Sequence, residues 1–290
     1  MTAAIVHCAT GDQSVMYVYG VARASRQHRF APVRRESIVP EAPVHPLVHG
    51  ELLAFVSAVP ADRFGASGFR SALKDVEWLK DRILAHEKVL EELMSSDDVV
   101  PFRFGTVYLD SSQVANALAL HRVELCQALE RIQGASEWGV KLYCDADVLR
   151  CRIEVESASI LHLRDMLAQV SPGARFFLQK KYAKALDGEV IATIASCVER
   201  IGRSLDDFAR ESTEIETQPA AVHGRSADMV MNAAYLVAEA SFPQFRQASA
   251  ALQKEYAPHG VDLELTGPWP PYHFVSIRQE GVADAAASDR

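Results

Sequence analysis

His86-Glu87 is the pair in this chain that comes nearest to catalytic machinery, because His-Glu opens the zinc-binding pattern His-Glu-x-x-His. That pattern sets two imidazoles one helical turn apart, on a face where both can ligate the metal. Leu90 occupies the second position, so no metal site is expected and His86 reads as a partly exposed helix residue. Gly134 and Gly139 have the spacing of a phosphate loop, but Val140-Lys141-Leu142 follows where Lys-Ser/Thr is needed. The segment also runs from helix to strand, whereas a phosphate loop leads into a helix whose first N–H groups face the anion. Neither Gly-x-Gly-x-x-Gly nor Gly-x-Ser-x-Gly occurs. His45 and His49, the closest histidine pair, sit in a Pro-rich stretch that offers no obvious further ligand. Arg103, between Phe102 and Phe104, reads equally as an anion contact or as the exposed residue of a strand with two core-facing rings. Glu137 and Lys141 share one face of a strand, ordinarily a solvated face or an ion-pair row. No catalytic, cofactor-binding or metal-binding residue is therefore expected. The enzymatic alternative is a nucleotide or small-acid pocket built around Arg103, Glu137 and Lys141.

These residues need a scaffold of some size. At 290 residues with 49% hydrophobic and 23% charged, the chain has the composition of a globular protein with room for two domains. Thirty Lys+Arg against thirty-eight Asp+Glu give a net charge of −8. That balance argues against sequence-independent nucleic-acid binding, which rests on neutralising phosphates. Five cysteines, an odd number without a Cys-x-x-Cys pair, read as free thiols in a reducing compartment, with Cys144 and Cys151 as buried inert ones. No segment approaches the roughly 20 apolar residues of a membrane span, and a cytoplasmic location is expected.

Val15–Tyr19 and Glu51–Val59 read as strands, with short strand pieces at Ile38-Val39 and Leu47-Val48. Val76, Leu79, Ile83, Leu90 and Leu93 form one stripe of a helix from about 71 to 94. Val99–Tyr108 returns to β character, and Asp110 opens a helix carrying Val114, Leu118, Leu125, Leu129 and Ile132. Trp138, Val140 and Leu142 alternate as a strand. Residues 1–145 thus predict an α+β sandwich of modified ferredoxin-like plan, with helices on one side of an antiparallel sheet. Residues 146–290 predict an α+β domain with long helices: one over 157–170, and one over 174–211 with a seam at Ile191, Ile194, Val198, Ile201, Leu205 and Phe208. Residues 228–240 read as a strand, 242–256 as a helix and 261–267 as a strand. The Pro268–Val275 tail, with three prolines, is expected to pack aromatic rings rather than join a ladder. Residues 281–290 read as frayed. A helix, a glycine and an alternating strand recur in both halves, so two domains of similar plan are possible.

Taken in order, several of these segments resemble the gas vesicle protein GvpF/GvpL family. They are Met16-Tyr17-Val18-Tyr19-Gly20, His86-Glu87-Lys88-Val89-Leu90, and Val99-Val100-Pro101-Phe102-Arg103-Phe104-Gly105-Thr106-Val107, the most specific. Glu137-Trp138-Gly139-Val140-Lys141, Ser171-Pro172-Gly173-Ala174, Asn232–Val237 and Thr266-Gly267-Pro268-Trp269-Pro270-Pro271-Tyr272-His273-Phe274 follow. The resemblance implies an N-terminal modified ferredoxin-like domain, a C-terminal α+β domain, and a role in assembling gas vesicles. It implies binding to the small hydrophobic shell protein and to other gas vesicle accessory proteins, a gas vesicle location, and no cofactor. Val99, Val100, Phe102, Arg103, Phe104 and Val107 are the expected contact with the shell protein.

Overall fold

The computed structural model describes residues 14–24 and 37–275. The chain divides into two compact units, one of residues 1–133 with 270–290 and one of residues 134–269. The expected boundary at 145/146 therefore moves. Strand 135–144 leaves the first half because its hydrogen-bonding partners on both sides lie in the second.

In the first unit, β1 (Ser14–Arg23), β2 (His45–His49), β3 (Leu52–Pro60), β4 (Val100–Pro101) and β5 (Val107–Tyr108) form one antiparallel sheet. Its order is β2-β3-β1-β4, with β5 also on β1. Ile38-Val39, expected as a strand piece, belongs to a turn instead. Between β3 and β4 come α1 (Ala61–Phe64), α2 (Ala66–Ala72) and α3 (Val76–Met94). After β5 come α4 (Ser111–Leu120) and α5 (Arg122–Ile132).

The expectation of helices on one side only is corrected, and β1 explains why. Val15, Tyr17 and Tyr19 point into a core with Leu90 and Leu93 of α3. Val18 points the opposite way, into a crevice lined by Val114, Leu118 and Leu125 of α4 and α5. A strand covered on both faces must be apolar at every position, and β1 is buried from Val15 to Ala22. On α3 the buried stripe is His86, Val89, Leu90 and Leu93. The expected stripe members Val76 and Ile83 are exposed instead. The predicted helix over 71–94 breaks at Asp75, whose carboxylate accepts from Trp78 N–H and caps α3. Asp110 caps α4 through Gln113 N–H as expected, and Gly134 follows α5 with the left-handed φ of +59° that ends a helix.

The second unit opens with β6 (Ala135–Cys144), then α6 (Ala146–Glu156), α7 (Ala158–Gln169) and the 35-residue α8 (Pro172–Asp206). β7 (Glu211–Glu214), α9 (Ala220–His223), β8 (Asp228–Ala238), α10 (Phe242–Tyr256) and β9 (Val261–Trp269) complete it. Its sheet runs β7-β8-β6-β9, all antiparallel. Numbered from the start of each unit, both sheets have strand order 2-3-1-4, the split β-α-β plan. The second unit carries helices at both crossovers.

The helices of the second unit pack on Val140, Leu142, Met231, Ala233, Tyr235 and Val237. The α8 seam meets this core rather than another chain, with Leu186, Val190, Cys197, Ile201 and Leu205 buried. Ile191, placed on that seam from spacing alone, is 69% exposed. β9 runs on to Trp269, which pairs with Glu137, so the tail's first residues do join the ladder. A ladder broken between Glu137 and Gly139 accommodates the prolyl residue there. Cys151 is exposed, against expectation, and Cys144 is buried. Cys8 and residues 281–290 lie outside the described residues.

Candidate functional site

The strongest polar constellation of the first unit is built on the inner face of α3. His86 has the same orientation as Val89, Leu90 and Leu93, one to two turns along the helix, so the imidazole enters the core and is fully buried. The expectation of a partly exposed His86 is corrected. What decides its burial is a partner for each ring nitrogen. Nε2 donates to Phe102 O at 3.2 Å, which leaves Nδ1 to accept from Tyr17 Oη at 2.9 Å. Tyr17 Oη in turn accepts from Gly105 N–H at 3.1 Å. Tyr272 Oη lies 3.2 Å from Nε2 and donates to Glu87 Oε1 at 3.1 Å. Tyr19 stacks on the imidazole, its ring centre 5.8 Å away, and Tyr17 and Phe104 meet it edge-on.

This surrounding fixes the protonation state. Burial lowers the His86 pKa to about 4, against a smaller opposing effect of the Phe102 carbonyl. Burial also raises Tyr17 well above its ordinary value. Glu87 is raised as well, chiefly by burial, with the Tyr272 hydroxyl acting in the opposite sense. A neutral imidazole with both nitrogens engaged and no solvent access is a poor proton shuttle and a good clamp. It fastens two segments to α3: the 102–106 excursion and the Pro270–Phe274 tail.

The excursion itself is set by pairing. Pro101 faces Gly20 and Val107 faces Tyr17. The five residues between must therefore loop off the sheet. Phe102 N–H still reaches Tyr19 O at 2.8 Å and Val18 N–H reaches Thr106 O at 3.0 Å, while Thr106 Oγ1 closes the loop onto Arg103 O at 2.8 Å. Of the six residues expected to meet a partner, Val99, Val100, Phe102 and Val107 are buried in the core, Phe104 is half-buried and Arg103 is exposed. Val99 and Val107 belong to the core with α3, and Phe102 lines the α4–α5 crevice.

The tail is held by more than Tyr272. Phe274 is buried, and Arg131 Nη1 donates to its carbonyl at 2.9 Å. Tyr272→Phe removes the hydroxyl contacts with Glu87 and His86 while keeping the ring. It is expected to lower stability by about 1 kcal/mol, measured by urea unfolding; an unchanged midpoint would show that the hydroxyl holds nothing.

In the second unit two segments that are far apart in sequence form one joint. Gly139 pairs with Thr266, and the Trp269 indole donates to Thr266 Oγ1 at 3.1 Å. A Cβ on Gly139 would lie 2.7 Å from Thr266 Oγ1, so only glycine lets this contact form. Gly267 has φ +123°, a conformation reserved for glycine. Glu137, expected on a solvated face or in an ion-pair row, is 3% exposed.

The sequence therefore ties four of its separated segments to one clamp and two to one joint. The family model for gas vesicle synthesis protein GvpL/GvpF matches residues 15–276. The chain belongs to this family. Gas vesicle protein L of Streptomyces sp. (strain CB03234) is 32% identical over 284 residues, covering 95% of this chain and 98% of that protein. Gas vesicle protein F of the same organism is 29% identical, covering 89% and 98%. The crystal structure of GvpF from Anabaena sp. PCC7120 superposes with a TM-score of 0.65 at 17% identity, over 91% of this chain and 97% of that one, and thus shares its fold. Membership in the GvpL/GvpF family gives the chain a role in gas vesicle formation.

Of the three residues of the enzymatic alternative, Arg103 lies in the first unit, and Glu137 and Lys141 lie on β6 in the second. Among the described residues, no group of three or more His, Cys, Asp or Glu is placed to hold a metal. No helix among them is long and apolar enough to cross a membrane. The α4–α5 crevice is lined almost wholly by apolar side chains, with His121 at its margin.

Proposed function

We propose that the chain acts without catalysis, as an assembly factor that holds the hydrophobic shell protein and limits its aggregation while gas vesicles nucleate and grow. The observation that carries this reading is the exposed first half of α3. Val76 is 71% exposed and Leu84 58%, and Ile83 lies seven residues from Val76 on the same side. Further along the same helix His86, Leu90 and Leu93 turn into the core, clamped onto β1 and the 102–106 excursion. A rigid helix that presents an apolar stripe to solvent is suited to helix-against-helix capture of a hydrophobic partner. In this reading Val99, Val100, Phe102 and Val107 form the frame behind the contact, and Phe104 and Arg103 stand at its margin.

The test uses the full chain. A fragment ending at 145 would strip the second sheet of β6 and the first unit of Tyr272 and Phe274. Co-purification of the shell protein is expected to fall at least tenfold with the double substitution Val76→Ser/Leu84→Ser, with circular dichroism unchanged. Undiminished capture by this variant would remove α3 as the contact. Failure of the parent chain to capture the shell protein would overturn the function itself.

A further inference from the structure

We propose that the outer face of α8 is a second docking surface, for a partner helix that carries an apolar stripe bordered by carboxylates. α8 turns Leu186, Val190, Cys197, Ile201 and Leu205 inward. Gly188 stands two residues after Leu186, about 200° further round the helix, and so lies on the far side. On that side Phe177, Lys184 and Ile191 recur at intervals of seven, with Lys181, Gly188 and Ala195 four residues after each. All six are exposed, Phe177 by 74% and Ile191 by 69%. This is a two-heptad seam facing solvent, with apolar anchors about 21 Å apart and no side chain at Gly188 to hold a partner away.

Charge narrows the occupant. Residues 164–184 carry five basic side chains and one acidic, a net +4, so the rest of this −8 chain carries −12. The nearest carboxylates are engaged to one side: Asp187 with Arg150 at 2.7 Å, and Glu189 with the Ser159 hydroxyl. Lys180 lies over the Phe176 ring at 4.8 Å, next to the seam. A second copy docked in parallel through this seam would set Lys181 and Lys184 against the same cations, and an antiparallel one would set them against Ile191 and Gly188 with no acid opposite, which disfavours self-pairing. A lysine at a core seam position selects a partner with an acid opposite it. The occupant is thus an acidic amphipathic helix, on a surface separate from the α3 face and independent of shell-protein capture.

Two 21-residue synthetic peptides with one leucine stripe, flanked by Glu in one and by Lys in the other, serve as probes against the full chain in fluorescence anisotropy. The Glu peptide is expected to bind at least tenfold more tightly than the Lys peptide, and more weakly as salt rises. Phe177→Ser/Ile191→Ser is expected to lose at least tenfold, and Lys181→Glu/Lys184→Glu to reverse the preference between peptides. All four positions are exposed, so circular dichroism should match the parent chain. Equal affinity for both peptides, or none for either, overturns the proposal. So does binding to phosphatidylserine vesicles that Phe177→Ser abolishes, which would mark a lipid contact. A dimer in sedimentation velocity that Phe177→Ser disperses would assign the face to a second copy. Loss of shell-protein capture in Lys181→Glu/Lys184→Glu would overturn the assignment to a separate partner.

Discussion

His86→Leu is expected to destabilise the protein by about 3 kcal/mol at pH 7, which corresponds to a fall of roughly 10 °C in melting midpoint. The side chains are close in volume, so the loss comes from polar groups rather than from a cavity. Phe102 O loses its donor and Tyr17 Oη loses its acceptor, both inside the core. The same residue makes the expectation depend on pH. Its pKa is about 4 when folded, against an ordinary 6.5. Between those values the unfolded chain takes up a proton that the folded chain refuses, so stability falls as pH falls from 6.5 to 4. The drop from this group is about 3 kcal/mol, at 1.36 kcal/mol per unit. The Leu variant lacks this titration, so parent and variant should converge as pH 4 is approached. Urea unfolding of both at pH 7.5, 5.5 and 4 measures it. A gap that stays constant across that range would mean that His86 is not held neutral.

Gly105→Ala is the second large effect, again expected near 3 kcal/mol. Its φ of +87° is one that a residue with a side chain adopts at a cost of about 1–2 kcal/mol. A Cβ there would also lie 2.5 Å from Cζ of Phe69. That ring is packed against Phe104 and Trp78, with centres 5.8 and 6.5 Å away, so moving it adds about 1–3 kcal/mol. Gly50 is the internal comparison. It has φ +62° but nothing within 4 Å of its would-be Cβ, so Gly50→Ala should show the backbone cost alone. Thermal denaturation of the two variants separates strain from collision. Equal shifts would mean that Phe69 yields freely and that the excursion is not gripped by its neighbours.

The residues above also mark what could and could not be seen in the sequence. Periodicity placed Val114, Leu118, Leu125, Leu129 and Ile132 in the core, and all five are there, because the buried side of a helix reports itself every three to four residues. The same rule misplaced Val76 and Ile83, since an exposed apolar stripe is indistinguishable by spacing from a buried one. Ile191 failed for the same reason. His86 failed for the opposite one: a polar side chain enters the core when distant partners satisfy it, and Phe102, Tyr17 and Tyr272 are 16, 69 and 186 residues away. The unit boundary was invisible because β6 has the pattern of any half-buried strand, and nothing local says which neighbours it will pair with. The segments quoted for the family resemblance were legible as a set before their reason was. Glu137–Lys141 and Thr266–Trp269 meet across two strands, and Val99–Val107, His86 and Tyr272 meet at one imidazole.

The return of the tail to the first unit has a consequence for how the polypeptide matures on the ribosome. The second unit is one unbroken stretch, whereas the first is assembled from both ends of the chain and brackets it. Synthesis proceeds from the N-terminus, so the 134–269 unit has all its strands in hand before the first has received Tyr272 and Phe274. Until those rings arrive, the Nε2 side of His86 lacks one of its neighbours and the Phe274 site stands open. The N-terminal unit is thus translated first and finished last. A message truncated just upstream of residue 270 leaves the second unit whole and the first without Tyr272 and Phe274.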